Sequence, residues 1–411
     1  MRKKIKKIIS LILSAVTLTA FSACSSFSSL GYIRNVQASE YFNSPSEWLY
    51  YYDKGEVGAK ERANGLLKEI DERLCGIEYN LSAEKAGGDI YRFNQAPAGS
   101  VVEVSKETYE VFSEAYSIWQ KTDGAFNPAV RLLVDLWGFS PRFRQTGGEA
   151  QPYDREEENC LPNQKYIELF KSLTNFGDIT AEYSDGVYTL KKPENSVTAD
   201  GVTYSMQLDF GGYGKGYAAK KAAEIITEAN FSFGYVSLGG SSLHLLSKPD
   251  GNNKNAKQDW QLKLTYPSQV GAANGDWYAA VYASNAGVST GGDYERFYEK
   301  DGKIYSHIID ATTGKPISNG VCTATIIGKD AATADALTTA LCVMGKDRAI
   351  EFINGYLTDC KVIFAVRKED GVLEIYTNLN KNEITLNFAH DNLRLTASGE
   401  NGRIKENDNV G

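Results

Sequence analysis

The sequence predicts an α+β protein built on a mainly antiparallel sheet. Three observations carry this: strand-like and helix-period stretches alternate along the chain, Asp-Gly hairpin turns stand at Asp301-Gly302 and Asp370-Gly371, and no internal repeat is visible. The formal charge of -8 argues against nucleic acid as a partner. Removing the basic leader described next makes the remainder more acidic still.

The chain opens with MRKKIKKIIS, then runs without a charge from Ile8 to Ala23 and reaches Cys24. That run is short for a membrane span, and a basic start followed by an apolar stretch and small residues reads as a secretory signal. Phe21-Ser22-Ala23-Cys24 resembles a bacterial lipobox, so residues 1–23 are expected to be removed and Cys24 to carry lipid at the outer face of the cytoplasmic membrane. Residues 24–40 are Ser-rich and read as a flexible tether. Five cysteines follow Cys24, widely spaced and without a CxxC pair, a pattern that points to neither a zinc site nor a disulfide framework.

Glu61 to Leu74 is a helix by composition, with Leu66, Leu67, Ile70 and Leu74 on one side. Asp89, Ile90 and Asn94 fall in the loop expected after it. Val101 to Val104 is a strand, and Ser105 caps a helix in which Phe112, Ala115, Tyr116 and Trp119 repeat at helical spacing. Residues 141–164 are polar and aperiodic, as a surface insertion would be. Strands are expected at Val187 to Leu190, Thr203 to Asp209, Phe233 to Leu238, Gln261 to Tyr266, Ala279 to Ala283 and Val321 to Ile327. A helix from Ala331 to Met344 stops at Gly345, a short helix starts at Asp347, and Lys361 to Arg367 pairs with Val372 to Thr377. The tail, residues 396–411, is polar and reads as disordered.

Three stretches carry chemistry. In LDFGGYGKGYAAK, Gly211, Gly212, Gly214 and Gly216 crowd a strand-to-helix turn beside Lys215. Backbone N–H groups and the helix dipole at such a turn suit a phosphate, although GxxxxGK[ST] and GxGxxG both fail to fit and a plain tight connection is the competing reading. In ADALTTALCVMG, Asp335 and Thr339 are one helical turn apart, so a carboxylate and a hydroxyl share a face. Those are hard oxygen ligands suited to Mg²⁺, while dipole pairing and back-bonding are the structural alternatives. His307 lies among turn and polar residues, and its type makes it a candidate base, with Asp310 in the Thr312-Thr313-Gly314 turn as its orienter.

The blocks GAFNPAVRLLVDLWGF, LDFGGYGKGYAAK, VSLGGSS, VSTGGDYERF, HIIDATTGKP and ADALTTALCVMG are similar, in order and spacing, to those of the ApbE-like FAD:protein FMN transferases. The resemblance runs from about Ile70 to about Phe364. It implies a single T-fold-like domain, here placed at residues 41–395, with FAD as substrate and Mg²⁺ as cofactor. By the same resemblance, Asn94, Ala125, Phe126, Asn127, Asp209, Lys215 and Ile309 contact FAD, and Mg²⁺ is held by the Gly212 carbonyl, Asp335 and Thr339. His307 matches the histidine of the family's HxxDPxTG. The chain departs from the family at Asn127, where Asp is usual, at Ala311 in place of a proline, and at Gly291 in place of a serine. The activity implied is transfer of FMN to a threonine of an acceptor flavoprotein, a membrane or secreted redox protein. The rivals are a Mg²⁺-dependent FAD pyrophosphatase and a flavin-binding lipoprotein without turnover.

Overall fold

A computed structural model describes residues 16–18, 29–140, 161–250, 256–268, 275–300, 302–400 and 402–406. Its centre is a ten-stranded sheet whose strands lie side by side in chain order. They are numbered β1 to β10: Leu30–Tyr41, Ser44–Asp53, Gly234–Leu238, Ser242–Leu245, Ala286–Gly292, Val321–Gly328, Lys361–Arg367, Leu373–Thr377, Leu393–Glu400 and Arg403–Glu406. Every neighbouring pair is antiparallel except β8 with β9.

Period-2 alternation sends each strand's side chains to two different cores. Leu49, Tyr235, Leu243, Val288, Ile363 and Ile375 face a second sheet containing Trp260–Thr265 and Trp277–Ala283. Trp48, Tyr50, Val236, Ala324, Ile326 and Phe364 face the helices. These are α1 (Ala59–Leu81), α2 (Asp89–Gln95), α3 (Lys106–Lys121), α4 (Arg131–Leu136), α5 (Gln164–Lys171), α6 (Gly214–Glu228) and α7 (Ala331–Tyr356). Helix α7 packs on β5, β6 and α6, and α1 packs on α6. A third cluster gathers Leu133, Leu136, Trp137, Tyr166, Phe170 and Ile309 beside these layers.

The structure corrects four expectations. The segment read as a tether is strand β1 from Leu30 onward, an edge strand whose Tyr32 and Val36 stay exposed and whose Arg34 pairs with Glu47 at 2.8 Å on β2. Pairing on one side only, with half-buried polar positions, leaves little hydrophobic signal to read. Asp89 and Asn94 lie on α2 and not in a loop: Asp89 accepts the Ser105 amide at 2.8 Å and the hydroxyls of Ser105 and Thr108 at 2.7 Å, a tertiary tie that stabilises a seven-residue helix. The strand before the glycine turn ends at Ser205 and belongs to a separate hairpin with Ser196–Ala199. The polar tail is partly ordered, since β9 and β10 pair through Ala397 and Glu406.

The signal segment and Cys24 lie outside the described residues, apart from Val16–Leu18, which pairs with Trp260–Thr265 at the edge of the second sheet. Most of the expected insertion, residues 141–160, lies outside them too. Gly345 breaks α7 as anticipated, with φ 73, and Asn319 Nδ2 donates to the Cys342 carbonyl at 2.9 Å and the Val343 carbonyl at 3.1 Å freed there. Cys322, Cys342 and Cys360 are free thiols. No helix among the described residues is long and apolar enough to cross a membrane.

Candidate active site

The glycines of the turn serve close approach, because none of Gly211, Gly212, Gly214 or Gly216 has positive φ. A Cβ on Gly216 would lie 2.1 Å from the Ala331 carbonyl oxygen and 2.8 Å from Asp335 Cβ, and one on Gly287 of β5 would lie 2.2 Å from the Ala331 nitrogen. The start of α7 is therefore clamped between α6 and β5 with no room for side chains. That approach delivers Asp335 into the junction, buried, with Oδ2 accepting the Gly216 amide at 3.0 Å and Oδ1 accepting the Ser289 hydroxyl at 3.1 Å. Two fixed donors lock the carboxylate, and each oxygen keeps a further lone pair.

One turn along α7, Thr339 faces the glycine turn: a Cβ on Gly212 would sit 3.1 Å from Thr339 Oγ1 and 3.8 Å from Phe126 Cε2. Gly212, Thr339, Asp335 and Phe126 are thus brought together from segments far apart in sequence. Asp335, Thr339 and a peptide carbonyl are all oxygen donors, and glycine at 212 keeps a side chain out of the space beside the hydroxyl. The donor set fits a hard divalent cation. Ala125 and Phe126 bury their side chains, so what they can offer a ligand is backbone.

The expected anion cradle is only partly available. The Gly216 amide is spent on Asp335 and the Gly214 amide on the Phe210 carbonyl at 2.8 Å, so these two amides at the start of α6 are already engaged. Lys215 is the remaining cationic group, its Nζ donating to the Gly211 carbonyl at 3.2 Å.

Asp209 accepts the Gly211 amide at 2.7 Å and meets Arg131 Nη1 at 3.4 Å. Arg131 is buried and also pairs with Asp135 at 3.0 Å and with Glu84. Burial opposes its charge, but the three carboxylates outweigh burial and raise its pKa, whereas burial pushes the Asp135 carboxyl up. Sequence reading missed Arg131 because it opens the short apolar helix RLLVDL, and only the fold brings Glu84 and Asp209 to it. Asn94 spends its amide on the residue before Asp209, donating to the Leu208 carbonyl at 2.8 Å and accepting the Leu208 amide at 2.7 Å. Asn127 accepts the Ala129 amide and donates to the Thr174 carbonyl, both at 2.9 Å.

His307 is half-buried, edge-on to Phe139 with ring centroids 6.4 Å apart. Its backbone amide and its ring Nδ1 both meet the Arg296 carbonyl, at 3.0 and 3.2 Å. A carbonyl only accepts, so Nδ1 carries the hydrogen and Nε2 the lone pair of the neutral ring. The orienting group is therefore this carbonyl, while Asp310 Oδ1 accepts the Thr312 amide at 2.8 Å and closes its own turn. Ile309 is buried in the third cluster and its backbone pairs with Pro316.

The ApbE family profile matches residues 47–364. The chain belongs to the ApbE family. It is 30% identical over 297 residues to the FAD:protein FMN transferase of Escherichia coli K12, covering 72% of this chain and 76% of the relative. It is 28% identical over 311 residues to the FAD:protein FMN transferase of Vibrio cholerae, covering 75% of this chain and 81% of the relative. Among solved structures, the flavin transferase ApbE from Vibrio cholerae superposes with a TM-score of 0.66 at 25% identity, over 85% of this chain and 97% of that one. The ApbE protein of Thermotoga maritima superposes at 0.63 and 25% identity, over 84% and 96%. The mixed, mostly antiparallel architecture of this ApbE-family chain is that of its structural relatives.

Proposed function

We propose that this protein is an FAD:protein FMN transferase that depends on Mg²⁺, moves FMN from FAD to a threonine hydroxyl of an acceptor protein and releases AMP. Family membership supports the transferase class, and the observation that carries the finer reading is the meeting of Asp335, Thr339 and Gly212 at the clamp between α6 and α7. Asp335, Thr339 and the Gly212 carbonyl would hold Mg²⁺, which when bound offsets the negative charge of the pyrophosphate. Lys215 lies at the same turn to add its charge. Asp209 pairs with Arg131 and accepts the Gly211 amide of the turn, and Asn94 fixes the preceding residue, Leu208.

His307 supplies the proton transfer. Nε2 takes the proton of the threonine hydroxyl as that oxygen forms its bond to the FMN-side phosphorus, and the bond from this phosphorus to the bridging oxygen breaks, so that AMP departs with that oxygen. Lipid on Cys24 would place the enzyme at the outer face of the cytoplasmic membrane, within reach of membrane or secreted redox acceptors.

The test is His307→Asn. It retains FAD binding and slows transfer by roughly 10²–10⁴-fold. Wild-type activity rises with pH as the imidazole loses its proton, and the variant's profile lacks that rise. Identical pH profiles in the two proteins would return His307 to a structural role.

A further inference from the structure

The turn between β5 and the strand Phe297–Lys300 holds a carboxylate that the reading above does not use. The turn is fixed: the Asp293 amide donates to the Cys322 carbonyl at 3.0 Å, the Asp293 carboxylate accepts from Arg367 at 2.8 Å, and Tyr294 is buried. Glu295 follows, and its Oε1 is sealed from solvent without a hydrogen-bond partner. A carboxylate oxygen left bare away from water is costly, and such a group persists where a ligand completes it.

Glu295 comes just after β5, the strand whose Ser289 hydroxyl donates to Asp335 at 3.1 Å and where a Cβ on Gly291 would lie 3.4 Å from Thr338 Oγ1 of α7, and the charges around it agree with that placement. Burial pushes its carboxyl up, Lys215 and then Arg296 draw it down, and the Asp335 carboxylate pushes it up again. It therefore shares one electrostatic neighbourhood with the glycine-turn lysine and with the proposed cation ligand. Lys215 donates to the Gly211 carbonyl, and the bare oxygen of Glu295 is left for something else. Two carboxylates that oppose each other's charge, one of them unsatisfied, are relieved together by a cation. Magnesium keeps several of its waters when bound, and a neighbouring carboxylate accepts their hydrogens.

We infer that Glu295 is a further carboxylate of the cation site around Asp335 and that divalent-cation affinity depends on it. This rests on the reading of Asp335 and Thr339 given above. The measurement is a Mn²⁺ titration of the whole protein, free ion read by electron paramagnetic resonance, with and without FAD, for wild type, Asp335→Asn and Glu295→Gln. Glu295→Gln is nearly isosteric and breaks no hydrogen bond at Oε1, so the fold is retained. The expected result is Mn²⁺ affinity weakened by about 10–100-fold in Glu295→Gln, and weakened also in Asp335→Asn. Wild-type affinity in Glu295→Gln beside weak binding in Asp335→Asn would overturn this inference and leave the site standing. Unchanged binding in both variants, or no binding by the wild type, would overturn the site and the inference together.

Discussion

Asn127 illustrates how far one side chain's donors and acceptors constrain a site. Its Nδ2 donates to the Thr174 carbonyl and its Oδ1 caps the turn at Ala129. A carboxylate in its place keeps the cap but points oxygen at a carbonyl. Asn127→Asp therefore costs about 1–3 kcal/mol of stability, read as a lower urea midpoint at unchanged slope. An unchanged midpoint would mean that Thr174 turns away and that the site accepts either residue. Residue chemistry was legible where spacing alone carries it: Asp335 and Thr339 share a face by helical period, and structure places both at the glycine turn. It was not legible for Arg131 or Glu295. Each reads in sequence as an ordinary charged residue, and its meaning comes from Asp209 and Asp335, distant in the chain.

At the level of elements, strong local signals were the ones that survived. The Lys361–Arg367 and Leu373–Thr377 hairpin follows from Asp370-Gly371, and the break in α7 follows from Gly345. Helix α2 and strand β1 were hidden because tertiary bonds and edge pairing stabilise them, not their own periodicity. The α6–α7 junction depends on a missing side chain. Gly216→Ala would put a Cβ 2.1 Å from the Ala331 carbonyl oxygen and force the helices apart, costing about 1–3 kcal/mol or more and loosening Asp335. Gly65→Ala, on the exposed face of α1 with nothing within 4 Å, is the control and stabilises by about 0.5–1 kcal/mol. Equal unfolding midpoints for the two variants would remove the clamp from the account.

For the whole molecule, the sheet meander, its two cores and the helical layer bring the site residues together from several parts of the chain. Cys24→Ala is expected to release the protein from membranes, seen by fractionation, while the purified variant transfers FMN at the wild-type rate, because Cys24 belongs to none of the segments that build the site. Wild-type protein found in the cytosol with residues 1–23 intact would overturn both the address and the choice of acceptor. The central claim is transfer of FMN to protein, and its most direct measurement is intact mass. The purified protein is incubated with FAD, Mg²⁺ and a candidate threonine-bearing acceptor, with an EDTA-treated sample beside it. The account predicts an acceptor heavier by one FMN residue, with AMP released, no gain under EDTA, and the gain restored by added Mg²⁺. Free FMN and AMP with the acceptor unmodified, or full modification in metal-free buffer, would contradict it.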